Sequence, residues 1–440
     1  MSIATQNPEK QAKADRGIGR IFQSLHDRDF LFLWLGSLGS FMAMNMQMVA
    51  SGYLAFQLSG TATALGIVTV SSGFPQLFLA LIGGVVADRV PKRNLIMVVQ
   101  SLMALLAVTY VFLIMTQQIQ IWHMVIGGII QGGLFAFNMP ARQALVPSIV
   151  GRENLANAVA LNNAGMNLTR IVGPSLAGVL IGLSQVGIAG AYMAMACCYV
   201  VALVMLIQLP SEKPTARAHK STMISEVKDG LSYIRSSATL VTLLGMAFAV
   251  VVLAMPYQTL MPLFALSVHD VGASGLGMLG GVTGAGALMG SLFVAYLSQS
   301  PRKEAMQVAA GIAFGTFLVV FALAPSFATA LMAIFFVGAA GNIYMALNNT
   351  LIMTSTDPTM YGRVMSVYMM TFSLMPLSSF PMSILADSIG VQPTLAGAGV
   401  LTALCVGALT LFARNAAVRQ QVRVSPNEGA TPYARPAGGE

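Results

Sequence analysis

Charge is scarce in this chain. Only 9% of its 440 residues are Asp, Glu, Lys or Arg, while 56% are hydrophobic; a water-soluble domain carries about a quarter charged residues. Most of the surface must therefore face something other than water, which excludes a soluble enzyme, a disordered regulator and a nucleic-acid module. Cysteine is rare too. Cys197, Cys198 and Cys405 form no CxxC pair, so neither a disulfide scaffold nor a thiolate metal site is supported, and each reads as a small buried hydrophobe. The four histidines are scattered, there is no phosphate-binding P-loop, and no Asp or Glu lies in the middle of an apolar run. The convergent acids, bases and metal ligands of an enzyme are missing, as is the nucleotide loop of an ATP-driven pump. No cofactor and no metal is expected.

What the chain does contain is twelve apolar runs, each long enough for the ~20 residues of a membrane-spanning helix. Six fall within 30–209 and six within 239–413, among them 239–267 and 361–386. The runs are too long for ~10-residue barrel strands and show no inside-outside alternation. The expected fold class is all-α integral membrane, with two pseudo-symmetric six-helix halves. A polar segment 1–29 precedes them, a linker 210–238 joins them, and a polar tail 414–440 that reads as disordered follows. Residues 1–28 hold no apolar leader, so the first span is expected to direct insertion. In the linker Met223, Val227, Leu231 and Ile234 recur at helical spacing, which predicts an amphipathic helix on the membrane surface.

The basic residues test this arrangement independently. Of the 23 Lys and Arg, all but Arg170 fall in the tails, the linker or alternate short loops. The positive-inside rule then puts both termini and the linker in the cytoplasm. The net charge of +8 is a topology signal and a contact for anionic lipid rather than a nucleic-acid site.

Between the second and third runs the sequence reads Gly83, Gly84, then Asp88, Arg89, Pro91, Lys92 and Arg93. Small residues let two helices approach, and Asp88 falls at a helix end where it can meet a helix N-terminus or an arginine. This stretch resembles the loop signature of the major facilitator superfamily. The resemblance implies a conformational latch: Gly84, Asp88, Arg89 and Arg93 docking against the start of span 11 at Gly362 and Arg363, with Arg142 as an ion-pair partner. Gly173, Pro174 and Gly178 resemble a weakened antiporter motif of the exporter branch, in which the proline either bends a gating helix or makes a packing kink. Pro140 to Pro147, Leu155 to Asn162, Gly230 to Arg235 and Met261 to Phe264 are similar to the branch that contains bacterial enterobactin exporters and macrolide-efflux proteins. That resemblance covers about 25–413 and implies a bacterial inner-membrane location.

Arg170 lies thirteen residues beyond Asn157, about 20 Å along a helix. Charge at that depth costs several kcal/mol unless it faces a cavity or a partner. It either meets an anionic or polar substrate or bonds to carbonyls and to Asn167. Other polar and aromatic residues in spans expected to line a cavity are Asn45, Phe135, Asn138, Asn163, Tyr257, Gln258, Asn342, Tyr344 and Asn348; each serves a ligand or bonds between helices. Met42, Met44, Met46 and Met48 are either an adaptable binding surface or core filler. The expectation is a monomeric secondary exporter of a small amphiphile, siderophore-like or drug-like, working by alternating access with the proton as candidate coupling ion. Asp88, Asp387 or His123 would have to carry that proton. The alternatives are an uncoupled metabolite facilitator and a transporter-like sensor.

Overall fold

Asp27 accepts hydrogen bonds from the backbone N–H groups of Asp29 and Phe30, and the first long helix starts on that cap: α1, Arg28–Ser59, closed by Gly60 at φ +69°. In the computed structural model, residues 23–150, 154–210, 223–297 and 300–424 are described, apart from the side chains at 23, 80–82, 84, 85, 87, 88, 156, 223–227 and 414–424. Thr61 caps α2, Ala62–Arg89. There follow α3 (Lys92–Met115), α4 (Ile121–Ile149), α5 (Leu155–Gly182) and α6 (Gly187–Ile207), then the linker helix α7 (Met223–Ser236). Beyond it come α8 (Ala238–Ala249), α9 (Tyr257–Leu263), α10 (Gly272–Tyr296), α11 (Lys303–Ala322), α12 (Phe327–Thr354), α13 (Tyr361–Phe372), α14 (Met375–Ile389) and α15 (Val391–Val424). Among the described residues there is no strand.

Among the described residues eleven stretches are long and apolar enough to cross a membrane. α1, although 32 residues long, is outside that set because Asn45 and Gln47 interrupt its apolar middle. It packs against α5 and α6 all the same, as a member of the bundle. Before the linker α2 lies on α4 and α3 on α6; after it α10 lies on α12, and α11 on α12 and α15. The two groups meet where α5 packs on α10 and α14 on α2.

Three boundaries differ from the sequence expectation. The run 239–267 is not one helix: α8 and α9 are separated by π-helical Val250–Ala254, and a second π segment, Phe264–Val268, follows. Pro256 and Pro262 have no N–H to give, so the ladder shifts; the Met255 N–H donates to the Val250 carbonyl five residues back at 3.1 Å. The run 361–386 is likewise divided into α13 and α14, with Pro376 at the start of the second piece. The tail expected to be disordered from 414 continues as helix to Val424, because the stretch Ala413 to Val424 is rich in Ala, Arg and Gln, which favour helix. Residues 425–440 and 1–22 lie outside the described residues.

The linker helix is docked. Gly230 sits so close to α13 that a Cβ there would lie 3.0 Å from the Arg363 carbonyl oxygen. Asp229 pairs with Arg363 at 3.8 Å, and the Tyr233 hydroxyl accepts from the Asp357 N–H at 3.2 Å. Ile234 is buried, while Leu231 is exposed. Met223 and Val227 side chains lie outside the described residues.

Candidate functional site

Two adjoining cavities, of about 330 and 490 Å³, lie between the two groups of helices and form the lobes of one site. Met44, Met48, Gln258, Pro262, Phe372 and Met375 border both, so they mark the junction. The chain supplies this junction at its irregular points: Gln258 follows the π segment Val250–Ala254 and Pro256, and Phe372 and Met375 flank the break between α13 and α14. Broken helices free backbone and side chains to face a cavity at membrane depth.

The larger lobe is walled by seven methionines and carries Asn45, Asn167, Arg170, Tyr257 and Asn342. Arg170 is exposed to it and stands within electrostatic range of Tyr257. Among the described residues Arg170 makes no hydrogen bond or ion pair, and no Asp, Glu, Lys or His borders either lobe. Asn45 is tied down, donating to the Phe41 carbonyl at 2.8 Å and to Thr169 Oγ1 at 3.4 Å. The smaller lobe is uncharged: Gln47, Gln76, Gln131, Thr69 and Thr259 are its principal polar residues, with Phe135 on its wall.

Asn45, Phe135, Asn167, Arg170, Tyr257, Gln258 and Asn342 thus lie on the walls of the two lobes. Four others do not. Tyr344 is fully buried against α11, where a Cβ on Gly311 would touch its ring at 3.1 Å. Asn348 is buried and accepts from Gln307 Nε2 at 2.6 Å. Asn138 buries its Oδ1 inside the bundle. Asn163 is exposed one turn nearer the basic loops than Asn167, beyond the lobe. The Met run splits by helical phase: Met44 and Met48 face the cavity, while Met46 is core.

The end of the bundle opposite the basic loops is closed by two seams of small residues. On the first, a Cβ at Gly178 would lie 2.5 Å from the Gly277 Cα, one at Gly182 would clash with the Ser274 hydroxyl, and one at Gly280 would lie 2.5 Å from the Pro174 Cβ. Gly173 packs on α1, at Asn45. The motif Gly173, Pro174, Gly178 therefore supplies close packing between α5 and its neighbours. On the second seam Gly66 meets Ser383 and Gly73 meets Pro376. A carboxylate fastens its tip: Asp387 on α14 accepts from the N–H groups of Ala62 and Thr63 at 2.7 and 2.8 Å and from the Thr63 hydroxyl at 2.5 Å. Those are orphan donors of the first turn of α2, so the cap joins the two groups through a helix N-terminus.

At the other end, Gly83 packs on α4, where an added Cβ would collide with the Ala136 carbonyl. The surroundings of Gly84 and the Asp88 side chain lie outside the described residues. Arg89 is exposed, and Gly362 has open space around it. Arg93 donates from Nε and Nη2 to the carbonyls of Leu206 and Ile207, both at 2.9 Å, capping the C-terminus of α6. Arg142 is buried, donating to Ser37 and Ser40 on α1 at 2.5 and 3.0 Å, over the Phe41 ring.

A bundle of membrane-length helices around a central cavity, with close-packed seams at one end, is a transporter architecture, and comparison supports it. Residues 21–431 match the family of transmembrane secretion effectors. The chain belongs to that family. Its relatives in this branch of the major facilitator superfamily include the multidrug efflux pump Tap of Mycolicibacterium fortuitum, 25% identical over 83% of this chain and 90% of that one. The staphyloferrin A transporter of Staphylococcus aureus is 23% identical over 87% and 93%, and the enterobactin exporter EntS of Citrobacter koseri 26% over 75% and 76%. A solved bacterial homologue of the lysosomal transporter Spinster superposes with a TM-score of 0.71 at 14% identity, covering 89% of this chain and 97% of its own. The nucleoside transporter NupG gives 0.68 at 13%, covering 87% and 98%. Family and relatives are transporters and not enzymes, so this chain is a multi-pass membrane transporter. Gln76, Gln131, Thr69, Ser72 and Thr259 are among the cavity residues that sequence reasoning missed; their polarity within apolar runs was the available signal.

Proposed function

We propose that this transporter exports a small amphiphilic molecule, siderophore-like or drug-like, across a bacterial inner membrane. Twelve spans in two six-helix halves would rock about the central cavity, with both termini cytoplasmic and one chain as the working unit. The observation that carries the reading is the two-lobed cavity bordered by helices from both sides of the linker and closed by small-residue seams at the end away from the basic loops. That arrangement suits loading from the cytoplasmic side. The basic-loop motif, with Asp88, Arg89, Arg142 and Arg363, would latch the opposite state as the family resemblance implies; Asp88→Asn should then slow transport at unchanged protein level.

Untargeted mass spectrometry of cytosol and spent medium, with and without the gene, tests export. A compound that accumulates inside on deletion and outside on overexpression supports it; a compound taken up instead refutes it. Proton antiport is the coupling we favour, driven by the usual gradient of the bacterial membrane. An uncoupled facilitator is the second reading, and the lack of any carboxylate bordering the cavity among the described residues favours it. Collapse of the proton gradient separates the two: antiport stops, whereas a facilitator continues to equilibrate.

A further inference from the structure

The larger lobe has a charge problem. Arg170 presents a permanently ionised guanidinium to a cavity at membrane depth, bordered otherwise by thioethers, amides and aromatic rings, with no described carboxylate to answer it. A lone cation in such surroundings keeps costly partial hydration and lacks a counter-charge. Its fork geometry matches a carboxylate in two parallel hydrogen bonds. Around it, methionine and the rings of Tyr257, Phe314 and Phe372 give an adaptable apolar wall. The smaller lobe, reached through Gln258, is different in kind: amides and hydroxyls that both donate and accept, and no charge.

From this juxtaposition we propose that the cavity selects organic anions. The ligand places a carboxylate on Arg170, lays an apolar or aromatic body on the methionine wall, and extends a neutral hydrogen-bonding group towards Gln76 and Gln131. Amphiphilic cations are disfavoured, because they meet the guanidinium with no acidic residue to offset it. The proposal rests on the transport reading above and narrows its substrate class. A volume of about 490 Å³ suits a drug-sized body.

The test uses the purified full-length protein and three dansyl probes that share one short linker, ending in a carboxylate, its methyl ester or a primary amine. Binding is read by fluorescence against empty micelles. The carboxylate should bind roughly ten- to a hundred-fold more tightly than the ester or the amine. Arg170→Gln should bring all three within about threefold, Arg170→Lys should keep part of the preference, and Gln131→Leu should weaken all three alike while the charge preference persists. The charge assignment is overturned if the amine binds as tightly as the carboxylate in the parent protein, a comparison that needs no variant to fold. It is also overturned if the preference survives Arg170→Gln, or if no probe binds to monodisperse protein. In proteoliposomes, a carboxylate that binds and is never moved refutes the transport reading and leaves the site intact; one that moves at the same rate as the amine sinks the selectivity and leaves transport standing.

Discussion

Replacing Asp387 by alanine should loosen the closed end of the bundle. Its carboxylate takes three hydrogen bonds from the first turn of α2, at 2.5 to 2.8 Å, and among the described residues no other acceptor serves the Ala62 N–H. Removing a capping side chain costs about 0.5–2 kcal/mol. Asp387 is exposed to solvent, and Thr61 still accepts from the Ala64 N–H, so the lower half of that range applies, ~1 kcal/mol. Because 1.4 kcal/mol is about a factor of ten, the ratio of closed to open at this seam should fall roughly fivefold. The assay is a distance measurement by paired spin labels at Ser59 and Ser388 in a protein whose Cys197, Cys198 and Cys405 are replaced by alanine. The long-distance population should grow in Asp387→Ala and less in Asp387→Asn, whose amide keeps one acceptor oxygen. An Asp387→Ala distribution that superposes on the parent would refute the reasoning, since the cap would then hold nothing the seam does not already hold.

Gly178→Ala, and more so Gly178→Leu, should wedge α5 from α10, because the first added carbon falls 2.5 Å from the Gly277 Cα; we expect a cost of about 1–3 kcal/mol at the seam and at least tenfold slower transport in vesicles. Ser37→Ala combined with Ser40→Ala strips the buried Arg142 of both side-chain acceptors and should cost about 1.5–3 kcal/mol for each bond lost. Arg142→Met should cost less, and thermal unfolding in detergent that ranks them the other way would contradict the account. Gly230→Leu should undock α7 from Arg363, seen as several-fold faster limited proteolysis of the linker; an unchanged cleavage rate would show that the contact carries no weight.

The all-helical, multi-span membrane class was legible because apolar runs of helical length report on the bilayer. The breaks at Pro256 and near Pro376 were not, since a hydropathy run looks the same whether its backbone ladder is α or π. Phase was the other missing quantity. On α12, Gly338, Gly341, Asn342 and Met345 face the cavity, while Tyr344 and Asn348, a fraction of a turn away, face the core. A helix apolar on every side gives no stripe by which to tell those faces apart. On α2 the stripe was there to be found: Thr69, Ser72 and Gln76 recur at helical spacing, and all three border the smaller lobe.

The two seams explain how such a bundle can close firmly and still reopen. In lipid there is no hydrophobic gain from bringing apolar helices together, so contact rests on van der Waals fit and on whatever polar ties cross the boundary. Gly178 on Gly277 and Gly66 on Ser383 allow backbones to approach closely without side chains that must disentangle when the seam parts. The Asp387 cap adds a tie of ~1 kcal/mol, within the few kcal/mol that separate populated conformers. A ligand that touches α1, α5, α9 and α12 at once, as the lining of the larger lobe requires, bridges helices from both sides of the linker. Its differential affinity for the two arrangements is then what decides which end is closed.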